Sequence, residues 1–72
     1  MNKAKNYRMF SGYTQRDMAD ILGVTVNTYR NKETGKTDFS ATQINIFFNA
    51  VSKKIPGLSI DDIFFNQKVK QK

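Results

Sequence analysis

The strongest constraint on the fold is a glycine that separates two helical segments by a turn of only three residues, 23–25. The segment before Gly23 carries an apolar stripe at helical spacing, formed by Met18, Ala19, Ile21 and Leu22. Gly23 can adopt the left-handed conformation that ends a helix, and Thr25 is a residue type that caps the start of another. The sequence therefore predicts two helices that cross steeply through this turn.

Capping residues and glycines set the ends of the first three helices. We expect the first helix over Asn2 to Phe10, and Thr14 caps the second. The third opens at the Thr25 cap and runs to about Thr34, with Gly35 just past its end. Three helices therefore fill the first half of the chain, and the segment 36–39 is predicted to be a loop.

A capping box predicts the fourth helix. Ser40 and Gln43 stand three residues apart, ahead of apolar residues spaced at three and four: Ile44, Phe47, Phe48 and Val51. Pro56 ends this helix, and Ser59 caps a last short one, IDDIFF, whose Ile60, Ile63 and Phe64 can face the core. No segment has the pattern of a strand, so we predict an all-α, compact five-helix domain over residues 1–66 with a basic flexible tail over 67–72.

Length and missing residue types exclude several classes of function. A chain of 72 residues buries only roughly 60% of its unfolded surface, which leaves little room for a deep catalytic cleft. The chain has no Cys and no His, so thiolate ligands and the commonest general base are absent, and its six acidic residues are scattered. We therefore expect no enzyme, no cofactor, no metal and no small-molecule substrate.

Charge points to a polyanionic partner. Twelve Lys and Arg against six Asp and Glu give a formal net charge of +6, which favours nucleic acid. The N-terminal segment lacks the apolar stretch of a signal peptide, and apolar runs such as Ile46 to Phe48 are too short to span a bilayer. We expect a cytoplasmic protein with no membrane partner.

The segment GYTQRDMADILGVTVNTYRNKETGK resembles the helix-turn-helix family of lambda repressor and Cro, also called the Xre-like family. The resemblance covers roughly residues 4–65, and SIDDIFF is similar to the short acidic-apolar helix that closes the family's domain. The residues that match the family's spaced motifs are Arg8, Gly12 and Gln15, then Ala19, Gly23 and Thr25, then Glu33 and Gly35. Tyr29 and Lys32 depart from it, since the family usually has Ile or Val at the first position and often an aromatic or Leu at the second.

The resemblance implies a function and a partner. It implies a lambda-repressor-like domain that acts as a sequence-specific regulator of transcription and, by family habit, as a repressor. Such a protein binds double-stranded DNA in the nucleoid, as a homodimer on a palindromic operator. The alternative is a protein-interaction module with the same fold, such as an antitoxin or an immunity or anti-repressor component.

A polar face of the third helix is the predicted reading surface. Asn and Arg side chains can bind adenine or guanine edges through two hydrogen bonds. On a helical wheel Tyr29 and Glu33 lie opposite one shared face, which carries Val26, Asn27, Arg30, Asn31 and Thr34. The resemblance implies that the first four of these point into the major groove, with Val26 limited to apolar contact. The alternative is an ordinary solvated face.

Other side chains are predicted to hold the DNA backbone. The resemblance places Gln15, in the first turn of the second helix, on a phosphate. The remaining predicted backbone contacts are Thr14, Arg16, Thr25, Thr28, Thr34, Lys36 and Thr37. The resemblance also implies a partly buried structural ion pair between Arg8 and Glu33.

Overall fold

Five helices account for most of residues 2–64, the part of the chain that the computed structural model describes. In chain order they are α1 (Ala4–Phe10), α2 (Gln15–Leu22), α3 (Val26–Glu33), α4 (Ala41–Ser52) and α5 (Ile60–Phe64). These residues include no strand, which confirms the all-α prediction for this range. The tail predicted over 67–72 lies outside it.

Side-chain hydrogen bonds cap the helices at the predicted starts. The Thr14 hydroxyl accepts from the Asp17 N–H at 2.9 Å, and the Asp17 carboxylate accepts from the Thr14 N–H at 2.9 Å. Ser40 and Gln43 make the same reciprocal pair at the start of α4. Each box satisfies backbone donors that have no partner inside the helix, so these starts are fixed by local chemistry.

The first helix begins later than predicted. The sequence predicts a start at Asn2, whereas α1 starts at Ala4. The Asn2 side-chain oxygen accepts from the Ala4 N–H at 2.9 Å, and the Lys3 N–H donates to the Ile63 carbonyl at 2.9 Å. The first bond caps the helix start at Ala4, and the second ties the residue before it to α5.

The core lies where α2, α3, α4 and α5 meet, and its largest fully buried side chains are Met18, Tyr29, Phe47, Val51 and Ile63. Phe39, in the predicted loop, is also buried: its ring centroid lies 5.1 Å from that of Phe64 and 5.8 Å from that of Phe47. The inward placement of Ile21 was wrong, because this side chain is 40% exposed.

Some apolar side chains remain on the surface. Met9 and Phe10, at the end of α1, are 58% and 78% exposed. Phe48 and Ile60, expected in the core, are only partly buried against it, and Phe65 lies outside the described residues. Over residues 2–64, no helix is both long enough and apolar enough to cross a membrane.

Candidate nucleic-acid interface

The turn between α2 and α3 brings the start of α3 to the surface beside α2. Gly23 caps α2 with a φ of +75°, a conformation that other residues adopt only with strain. The Val24 N–H donates to the Ala19 carbonyl at 3.0 Å, which closes the turn on the last turn of α2. Ala19 is 1% exposed, so a larger side chain would collide with its surroundings.

Helix α3 has an inner and an outer face, as its spacing predicts. Tyr29 and Glu33 are buried, whereas Asn27 and Arg30 are exposed. Val26 and Asn31, the other two predicted base-reading residues, are half-buried, with Val26 packed partly against the core. The amide and guanidinium of the outer face are therefore accessible to a ligand that lies along α3.

The side chains predicted to hold the DNA backbone are at the surface. Gln15 is half-buried, and the others are exposed: Thr14, Arg16, Thr25, Thr28, Thr34, Lys36 and Thr37. Two of the hydroxyls donate to partners within the protein, since Thr25 donates to the Thr28 oxygen at 2.9 Å and Thr34 donates to the Arg30 carbonyl at 3.0 Å. Each hydroxyl oxygen can still accept, but its donor is already in use.

Beneath this surface, the Glu33 carboxylate accepts several hydrogen bonds from other side chains. Arg8 Nε donates to Glu33 Oε2 at 2.7 Å, and the side chains of this ion pair are 9% and 3% exposed. The Tyr29 hydroxyl donates to the same oxygen at 2.6 Å, and Gln15 Nε2 donates to Oε1 at 2.9 Å. The ion pair that the resemblance implies is therefore present, and the tyrosine that departs from the family's pattern supplies a further donor to it.

The protonation states follow from this network. Burial favours the neutral form of Glu33, but the hydrogen bonds from Arg8, Tyr29 and Gln15 outweigh it and lower the pKa of the carboxyl group. Burial, together with the hydrogen bond to Glu33, raises the pKa of the Tyr29 phenol above its ordinary value. Glu33 is therefore a carboxylate at neutral pH, held by donors from three helices.

Gln15 connects this buried network to the exposed face of α3. A carboxylate can only accept, so the Gln15 amide nitrogen faces Glu33 and its oxygen faces outward. That oxygen accepts from Arg30 Nε at 3.4 Å, a long hydrogen bond. The sequence places Gln15 and Arg30 in separate roles, and no spacing signal indicates the bond between them, because they lie on different helices.

The described residues hold no cluster of three or more acidic side chains that could bind a metal ion. In comparisons with known proteins, no family model, no curated protein and no solved structure matches this chain. The resemblance to the helix-turn-helix family therefore remains a prediction from the residues of this sequence.

Proposed function

We propose that this protein is a sequence-specific DNA-binding regulator of transcription that inserts α3 into the major groove. The observation that carries the proposal is the two-sided character of α3. Its exposed face presents Asn27 and Arg30, while Tyr29 and Glu33 anchor the opposite face in the core. A helix held in this way can present its polar side chains to base edges without reorganising.

Two further features support the proposal. Three residues separate the end of α2 from the start of α3, so the two helices form one short unit in which α2 can lie across the DNA backbone. The formal net charge of +6 favours binding to phosphates. Because one small module makes few base contacts, we infer that a homodimer binds two symmetric half-sites, and that occupancy of the operator represses transcription.

Selection of bound duplexes from a random DNA pool tests this function. We expect the recovered sequences to converge on one palindromic consensus. Asn27→Ala is the informative variant, because it removes a base-reading amide without changing the charge, and its consensus should lose one or two positions. Lys53 is an exposed lysine after α4, and the control variant Lys53→Gln should recover the original consensus.

Two outcomes would contradict the proposal. A pool that shows no enrichment, although the protein is folded, would favour the protein-interaction alternative. An affinity that does not change with salt concentration would mean that phosphates are not bound, since counterion release makes DNA binding steeply dependent on salt.

A further inference from the structure

An open cleft of about 490 Å³ lies between the start of α1 and the end of α3. Lys5 and Asn6 line it from α1, Arg30 lines it from α3, and Thr34 lines it from the position just after α3. The half-buried Gln15 also lines it. Because Arg30 lies on the exposed face of α3 and Thr34 is the exposed residue that follows this helix, the cleft continues the proposed DNA-binding face toward α1. The sequence does not assign the residues of α1 that line the cleft to DNA.

The charges around the cleft favour an anion. Lys3, Lys5 and Arg30 are the cations among its lining residues, and Glu33 is the single acid. The charge of Glu33 is balanced by Arg8, whose Nε lies 2.7 Å from its carboxylate. Lys5 and Arg30 therefore leave a positive field that a ligand meets in the cleft.

Lys5, Asn6 and Arg30 carry the donors of the cleft that can bind a ligand. The exposed side chains of Lys5 and Asn6 make no hydrogen bond or ion pair with another residue in the range 2–64. Arg30 uses only its Nε atom, toward Gln15, so its two terminal nitrogens remain available. The ammonium of Lys5 and the amide of Asn6 suit a ligand with several acceptor oxygens, while the terminal nitrogens of Arg30 at the edge of the cleft remain available to a base.

We propose that this cleft holds a phosphodiester of the DNA backbone, so that α1 is a second contact surface through Lys5 and Asn6. The inference rests on the proposed function, because docking α3 in the major groove places a sugar-phosphate strand along the edge of the helix. The continuity of the cleft with Arg30 and Thr34 favours a strand of DNA over a free anion.

The test measures affinity against salt concentration for the selected operator and for a scrambled duplex. Lys5→Gln should weaken binding to both duplexes alike and reduce the slope of log K against log salt by about 0.9, the value for one lost phosphate contact. Asn6→Ala should weaken binding to both without changing the slope, because it removes a hydrogen bond and no charge. Lys5→Arg, which keeps the charge, should retain the original slope.

Lys53→Gln is the matched control, since it removes the same charge from an exposed lysine that does not line the cleft. If Lys5→Gln and Lys53→Gln both keep the original slope, the inference is wrong. It is also wrong if inorganic phosphate protects the wild-type protein against thermal unfolding while Lys5→Gln binds both duplexes normally, because the cleft would then hold a free anion.

The inference and the proposed function fail in different ways. If Asn27→Ala loses the preference for the operator while Lys5→Gln binds like the wild type, DNA reading by α3 stands and the role of α1 is rejected. If the wild-type protein prefers no duplex over another, the proposed function itself is rejected. Circular dichroism of each variant checks that a loss of binding is not a loss of fold.

Discussion

Loss of either Glu33 or Arg8 should strongly destabilise the fold. Replacing either with Ala leaves the other charged, buried and without its partner, which should lower the free energy of unfolding by about 3–5 kcal/mol. The double replacement should cost less than the sum, because no unpaired charge remains. Urea unfolding of the three variants measures the coupling, and strictly additive losses would show that the two side chains act independently.

Gln15 should affect which bases are read, although it is not on the outer face of α3. Its oxygen accepts from Arg30 and its nitrogen is fixed by Glu33, so it restricts where the guanidinium can point. Gln15→Ala should therefore relax the preference at the base pair that Arg30 contacts, in addition to weakening binding on every sequence.

A competition assay against single-base changes of the operator measures this preference. Arg16→Ala is the control: Arg16 is the next residue, is exposed, and makes no hydrogen bond or ion pair within the described range. Its loss should weaken binding without changing the preferred sequence. If Gln15→Ala also leaves the base preference intact, the bond to Arg30 has no part in reading.

At the scale of elements, the loop between α3 and α4 should stabilise the fold through the buried side chain of Phe39. Phe39 is 4% exposed, and its ring packs against Tyr29, Phe47 and Phe64. Phe39→Ala should lower the free energy of unfolding by about 3–5 kcal/mol. Phe10→Ala is the matched control, since this side chain is 78% exposed and its removal should change stability by about 0.5 kcal/mol or less. Equal losses in urea unfolding would contradict this account.

The ends of the helices could be predicted because the signals are local. Thr14 with Asp17 and Ser40 with Gln43 mark the starts of α2 and α4 within a few residues of sequence. The burial of Phe39 could not be predicted in this way, because it depends on three rings from other elements.

The same distinction applies to the candidate site. The inward placement of Tyr29 follows from helical spacing, and its pairing with Glu33 is an i to i+4 contact within α3. The contacts of Gln15 with α3, and the cleft that Lys5 lines, join residues far apart in the chain. Sequence spacing alone could not place them together, whereas the resemblance did imply the pairing of Arg8 with Glu33.

At the scale of the whole molecule, the hydrogen bonds to Glu33 join three helices, so protonating this carboxylate should destabilise the domain globally. Arg8 donates from α1, Gln15 from the start of α2, and Tyr29 from α3. The folded pKa of Glu33 is lowered, so as pH falls the unfolded chain binds the proton first. The stabilisation is therefore complete above the unfolded pKa of about 4.3 and is lost as pH falls through the folded pKa.

The variant Glu33→Gln isolates this contribution from the other acids of the chain. It cannot ionise at this position, so its free energy of unfolding should be well below that of the wild type at pH 7, where Arg8 faces a neutral partner. The difference between the two proteins should stay constant down to about pH 5 and shrink at lower pH, because the unfolded wild-type chain then binds a proton that the folded protein does not. Urea unfolding at a series of pH values measures both curves. A difference that stays constant down to pH 2 would mean that folding does not change the pKa of Glu33, and one that grows as pH falls would mean that folding raises it; either result would contradict the lowered pKa.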